Sequence, residues 1–209
     1  MRISVPMVFD RDRLYVADMT EHAQLDETME GLVDWGSPVV AANSTILGAT
    51  AIIALGTVNI NKKVDDYYGR TINVTGTAAG NVVLYGRDYL NQQITQAVAV
   101  INGTVATTKT FKFLDKVVSS TYAGNISFGP GPKLGMPFVV SKIIEEYDDG
   151  VAVAAPTLTV ADTAVQTSST GDPRGTVTPT ATLNGILNLQ MKVRFNQDAV
   201  GGLHGRIAA

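Results

Sequence analysis

Short runs rich in Val, Ile, Thr and Phe, each bounded by Gly, Asn or Asp, fill residues 68–122, the pattern of strands joined by tight turns. In Thr71-Ile72-Asn73-Val74-Thr75 every second residue is apolar, so a strand sends Ile72 and Val74 to one face. Asn102-Gly103 separates residues 97–101 from 104–108. A two-residue type I′ turn needs positive φ at both central positions, which Asn and Gly tolerate best, so a hairpin is predicted there. Ala79-Gly80-Asn81 similarly divides residues 70–75 from 82–85, and Gly86-Arg87-Asp88 opens the loop into 92–100. Three hairpins in succession predict a meander. In the run that follows, Phe111 and Phe113 are placed inward.

The clearest alternation comes near the end, where residues 185–195 read GILNLQMKVRF. Leu187, Leu189, Met191, Val193 and Phe195 share one face, and Asn188, Gln190, Lys192 and Arg194 share the other, as in a sheet wet on one side. Asp148-Asp149-Gly150 is a further hairpin turn, between residues 136–146 and 151–154. The prolines and glycines of GPGPKLG, residues 129–135, predict a corner or a crossing to another sheet. Residues 35–63 are small and apolar, with strands predicted at 39–42, 50–54 and 57–61. Residues 157–170, rich in Thr, Ser and Ala, read as an exposed loop or weak edge strand.

Only residues 20–33 carry a helical pattern. Asp18 or Thr20 would cap it, and Leu25, Met29, Leu32 and Val33 fall on one face. Glu21, Asp26, Glu27, Glu30 and Asp34 make this segment acidic, either as a solvated face or as a docking element. Before it, residues 1–20 scatter apolar side chains among charges and cannot bury enough area to order alone. Lone Trp35 is placed as a lid at the core's edge. The predicted class is all-β: a β-sandwich over residues 36–200, an extended N-terminal arm over 1–35 containing at most one short helix, and a flexible tail over 201–209.

Composition narrows the function. A chain of 209 residues is long enough for one large β domain without staples, and it has no cysteine, which excludes disulfides and thiolate chemistry. A net charge of −3 without clustered Lys or Arg argues against nucleic acid as a partner. Asp10, Arg11, Asp12 and Arg13 interrupt the apolar core a signal peptide would need, and the weakly polar run at 49–55 is too short to span a bilayer as a helix. No membrane partner is therefore expected. Catalytic templates fail on inventory. The histidines are His22 and His204, in the acidic segment and the Gly-rich tail, and no glycine run ends in the phosphate-binding Gly-Lys-Ser/Thr pattern. Asp148-Asp149 and Asp10-Arg11-Asp12 are too few for a calcium loop, and Asp88, Asp148 or Asp162 could pair as acid and base only across loops. The expectation is a protein that is not an enzyme and needs no cofactor or metal.

From residue 38 to 205 the text resembles head decoration (cement) proteins of tailed bacteriophages. The similar elements are SPVVAANSTILGATAI, GRTINVTGTAAGNVVLYGRDYLNQQ, GTVATTKTFKFLDKVVSS, TSSTGDPRGTVTP leading into the long final strand, and GLHG near the end. The resemblance implies a jelly-roll-like sandwich on the outside of the capsid, made in the host cytoplasm, with the major capsid protein as partner and a homotrimer favoured over a homodimer. Cementing neighbouring capsomers needs no active site. Within the arm, Phe9, Arg11, Arg13, Tyr15, Leu25, Met29, Leu32 and Trp35 are the expected capsid contacts. The acidic segment at 20–33 has no counterpart in the resemblance. The alternatives are a tail or fibre adhesin that binds host glycans through Tyr67, Tyr68, Tyr85, Tyr89 and Tyr122, and a β-fold hydrolase.

Overall fold

The computed structural model describes residues 15–16, 30–35, 42, 44–196 and 199–205. In chain order the strands are β1 (Tyr15–Val16), β2 (Glu30–Asp34), β3 (Leu47–Ile52), β4 (Thr57–Lys63), β5 (Arg70–Gly76), β6 (Gly80–Arg87), β7 (Gln93–Val100), β8 (Gly103–Ala106), β9 (Phe113–Ser119), β10 (Gly124–Gly135), β11 (Val140–Asp148), β12 (Val151–Val153), β13 (Thr157–Thr159), β14 (Thr176–Thr178) and β15 (Leu189–Phe195). Among the described residues there is no helix, and the strands pair antiparallel in three sheets. The protein is all-β and sandwich-like.

Two sheets face each other. A small sheet runs β4-β9-β6-β7, and a long sheet runs β13-β14-β10-β5-β8 with β3 also on β10. Between them lies one core, in which Ile72 and Val74 of β5 and Ile126 and Phe128 of β10 pack with Val82, Leu84, Leu114 and Val117 of the small sheet. The third sheet, β1-β2-β15-β11-β12, builds a second core with the far half of the long sheet. There Leu134 and Val177 pack with Val33, Trp35, Leu189, Met191, Val193 and Phe195. Strand β10 serves both cores.

This passage between cores falls at the Pro-Gly run. Instead of ending, β10 continues through it with a register shift between Pro130 and Leu134 on β5. Pro130 and Pro132 have no N–H to give a ladder. A buried arginine fills the irregularity: Arg70 Nε donates to the Gly131 carbonyl at 3.1 Å, joined by Nη2.

Several local expectations are corrected. Asn102-Gly103 is no hairpin, because β7 pairs with β6 in the small sheet whereas β8 pairs with β5 in the long one. Gly103 has φ 141, while Asn102 lies outside the positive-φ set. Likewise Ala79-Gly80-Asn81 carries the chain from β5 across to β6. Of the three expected hairpins only β6–β7 forms; facing sheets require the other two connections to change layer. The Asp149-Gly150 turn does close a hairpin, β11–β12, with φ 50 and 80 at its central residues. Phe111 is buried, but Phe113 is only half-buried, with Arg87 over its ring at 4.6 Å. Asp115 is an extra residue where β9 shifts register on β6, and the shift gives the core positions to Leu114 and Val117.

The terminal assignments also change. Residues 30–33 are part of strand β2, not a helix, and β2 sits inside its sheet, paired with both β1 and β15. The expected strand at 39–42 and the rest of the acidic segment lie outside the described residues, apart from Ala42, which packs partly buried against the second core. At the other end residues 201–205 are held. The Val139 N–H donates to the Leu203 carbonyl at 2.7 Å, the His204 ring lies 5.1 Å from that of Phe138, and a Cβ on Gly205 would stand 2.0 Å from the Pro173 carbonyl oxygen.

Candidate functional site

Alternation along β2 and β15 gives the third sheet two unlike faces. Val33, Leu189, Met191, Val193 and Phe195 point into the second core; Glu30, Leu32, Asp34, Gln190, Lys192 and Arg194 are half-buried on the other side. Register brings opposite partners together, since Glu30 lies across from Arg194, Leu32 from Lys192 and Asp34 from Gln190. Glu30 bonds Lys192 at 2.9 Å and Arg194 at 3.2 Å, and Gln190 Nε2 donates to Asp34 at 3.1 Å. The hydrogen bonds from Lys192 and then Arg194 hold the Glu30 carboxyl below its ordinary pKa, and Glu30 raises that of Lys192. Tyr147 on β11 donates its hydroxyl to Glu145 at 2.5 Å. A concavity of about 410 Å³ opens on this face, lined by Glu30, Gly31, Leu32, Tyr147, Gln190 and Lys192. Polar and charged side chains surround Leu32 and Tyr147, a mixture suited to contact with another macromolecule.

The expected contact residues divide. Phe9, Arg11, Arg13, Leu25 and Met29 lie outside the described residues. Tyr15 is in β1, paired with Leu32, so the N-terminal segment reaches the body at the edge of this sheet. Leu32 is on the concave face. Trp35 is not a contact residue: it is 1% exposed, its Nε1 donates to the Gly135 carbonyl at 3.0 Å, and Tyr68 meets it edge-on at 6.0 Å. The body therefore begins by residue 30. Tyr147, Gln190 and Lys192 join the site although residue type alone does not single them out; the alternating polar face of residues 185–195 was the signal for Gln190 and Lys192, whereas Tyr147 is brought there only by its pairing with Gln190.

Of the acids considered as acid–base partners, Asp88 and Asp162 are tied into the fold. Asp88 accepts from the Gln92 amide at 2.9 Å and pairs with Arg174 at 2.9 Å, while Asp162 accepts from the Ala164 and Gly171 amides at 2.9 and 2.7 Å. Glu146 is fully buried beside Asp148 and accepts from the Thr180 and Ala181 amides; burial raises its pKa. Lys109, also buried, donates to the Thr95 and Thr167 carbonyls, and burial lowers its pKa. Among the described residues no three His, Asp or Glu side chains group to hold a metal ion. His204 stands 3.3 Å from the Tyr89 hydroxyl, at the packed end of the tail. Of the five tyrosines considered for glycan binding, Tyr68 and Tyr122 are buried and Tyr67, Tyr85 and Tyr89 half-buried, so they form no exposed aromatic platform. No helix among the described residues is long and apolar enough to cross a membrane.

No family model, no curated protein and no solved structure matches this chain.

Proposed function

We propose that the chain is a structural virion protein that binds the outer surface of a phage capsid and cements neighbouring capsomers. The observation that supports this most is the position of β1 and β2: the N-terminal segment joins the body at the edge of the third sheet, beside the concave polar face. A segment that cannot fold alone gains order when laid across another subunit, so binding couples to assembly, and many such contacts on a symmetric lattice reinforce one another. In this reading Phe9, Arg11, Arg13 and Tyr15 lie along the major capsid protein, Leu25 and Met29 extend the contact, and Leu32 with Tyr147 and Lys192 completes it. The stiff body supplies the outer surface, as a jelly-roll-like module that associates with itself.

The test is removal of residues 1–14, which spares β1 and β2. The truncated protein should stay folded and soluble but fail to co-sediment with expanded capsid shells that bind the full chain. Retained binding would refute the role of the segment, and a particle reconstruction with no density for this chain on the shell's exterior would refute the reading itself.

A further inference from the structure

Among the described residues, one end of the sandwich is free of charge. There the chain turns at 53–56, 77–79, 101–102 and 120–123, passing between the long and small sheets. No Asp, Glu, Lys or Arg occurs at positions 44–61, 71–86, 89–108 or 117–132, the segments that form these turns and the adjoining stretches of their strands. Tyr122 closes the end from inside. Its hydroxyl accepts from the Thr77 amide at 3.0 Å and donates to the Asn125 carbonyl, and a Cβ on Gly76 or Gly80 would strike it at 2.9 or 2.5 Å.

Outside this plug stand Ile53, Leu55 and Ile101, which are 74%, 81% and 52% exposed. Ile52 pairs with Gly124, Ile126 with Gly76, and Gly76 with Gly103, so Ile53 and Ile101 lie along one rim across β3, β10, β5 and β8. At the usual strand spacing that rim is about 14 Å wide. Leu55 departs from local preference in a second way. The Gly56 amide donates to the Ile53 carbonyl at 2.9 Å, which closes a turn with Leu55 in its third position at φ 60. Glycine or asparagine takes that conformation readily, whereas leucine does so at a steric cost. At 81% exposure its side chain recovers little by packing against the described residues. Strain and exposure coincide on one large aliphatic residue, as expected where a contact outside the chain selects it.

We propose that this end is a self-association surface, on which a second copy of the chain seats its own Ile53, Leu55 and Ile101 against the same three residues about a two-fold axis. In such a contact each patch meets its own image, so any net charge on it repels itself. This end contributes none, although the chain as a whole carries −3. A charged partner would find no counter-charge here. A bilayer would find none of the exposed Trp, Tyr, Lys or Arg that usually border an inserted apolar tip. The inference concerns the isolated chain and stands whether or not it binds a capsid.

Sedimentation velocity of the full chain, from micromolar to hundreds of micromolar, tests it. The native protein should associate with rising concentration. Ile53→Asp with Leu55→Asp should weaken association by at least about tenfold while the circular dichroism stays native, and Ile186→Asp, a charge at another exposed aliphatic, should leave it unchanged. Leu55→Asn should weaken association and raise the melting temperature by a few degrees as the φ strain is relieved. A native protein that stays monomeric throughout would overturn the proposal, as would a doubly charged variant that associates normally or an Leu55→Asn variant that melts lower. Co-sedimentation of the native chain with phosphatidylcholine vesicles, lost in the doubly charged variant, would also overturn it and assign the end to a membrane.

Discussion

Arg174 and Asp88 meet at 2.9 Å in an ion pair whose side chains are only 2% and 3% exposed. The pair joins the loop between β6 and β7 to the turn before β14, and so ties the small sheet to the long one. The guanidinium also lies over the Tyr89 ring at 4.8 Å. Removing one partner leaves a buried charge uncompensated. Asp88→Ala should therefore destabilise by about 3–5 kcal/mol, and replacing both residues with apolar ones of similar size by much less. Urea unfolding of the single and double variants measures the difference.

The start of the body is set by Val33 and Trp35. Deletion of residues 1–34 takes away an inner strand and should abolish cooperative unfolding, whereas deletion of 1–14 should leave it intact. Trp35→Ala in the full chain should cost about 3–5 kcal/mol, because it empties the space of a fully buried side chain. Thermal melts followed by near-ultraviolet circular dichroism separate these outcomes.

Stability should respond to pH through Glu146. Burial lifts its folded-state pKa above the ordinary 4.5. Its contribution is fully present below the unfolded value and is lost as pH rises through the folded one. The stability of the native chain relative to Glu146→Gln should thus fall between acid and neutral pH. Glu30 runs the opposite way, because Lys192 and Arg194 depress its pKa: its contribution is present above the unfolded value and lost as pH falls through the folded one. Unfolding free energies of Glu146→Gln and Glu30→Gln across pH 3–8 should diverge from the native chain with opposite slopes.

Gly205 holds the tail against the turn at Pro173. With φ 70 and a Cβ that would fall 2.0 Å from the Pro173 carbonyl oxygen, Gly205→Ala cannot keep this contact. Hydrogen exchange at the Val139 amide, which donates to Leu203, should quicken at least about tenfold, while exchange in the first core stays native.

How much of this was legible beforehand depended on the range of the interaction involved. Period-two alternation at Ile72–Val74 and along residues 187–195 identified strands and their inward faces, because burial of one face acts residue by residue along the chain. The Asp149-Gly150 turn was readable because both its strands lie in one sheet. Asn102-Gly103 has equally suitable turn chemistry, but the strand after it pairs with β5, and no local preference records that partner. Phe113 lost its inward place to a one-residue register shift, and the helical spacing of Leu25, Met29, Leu32 and Val33 gave way at residues 30–33 to pairing with β15.

For the candidate surfaces the same division holds. Composition and spacing established an all-β chain, the polar face that carries Gln190 and Lys192, and the long uncharged stretch that contains Ile53 and Leu55. Only the tertiary structure decided that Trp35 is interior, that Glu30 is shared between Lys192 and Arg194, and that four distant uncharged turns gather at one end. Those outcomes rest on contacts between residues far apart in the chain. Their energies come from layer packing and strand partnership, which a linear pattern permits in several ways and a packed core permits in one.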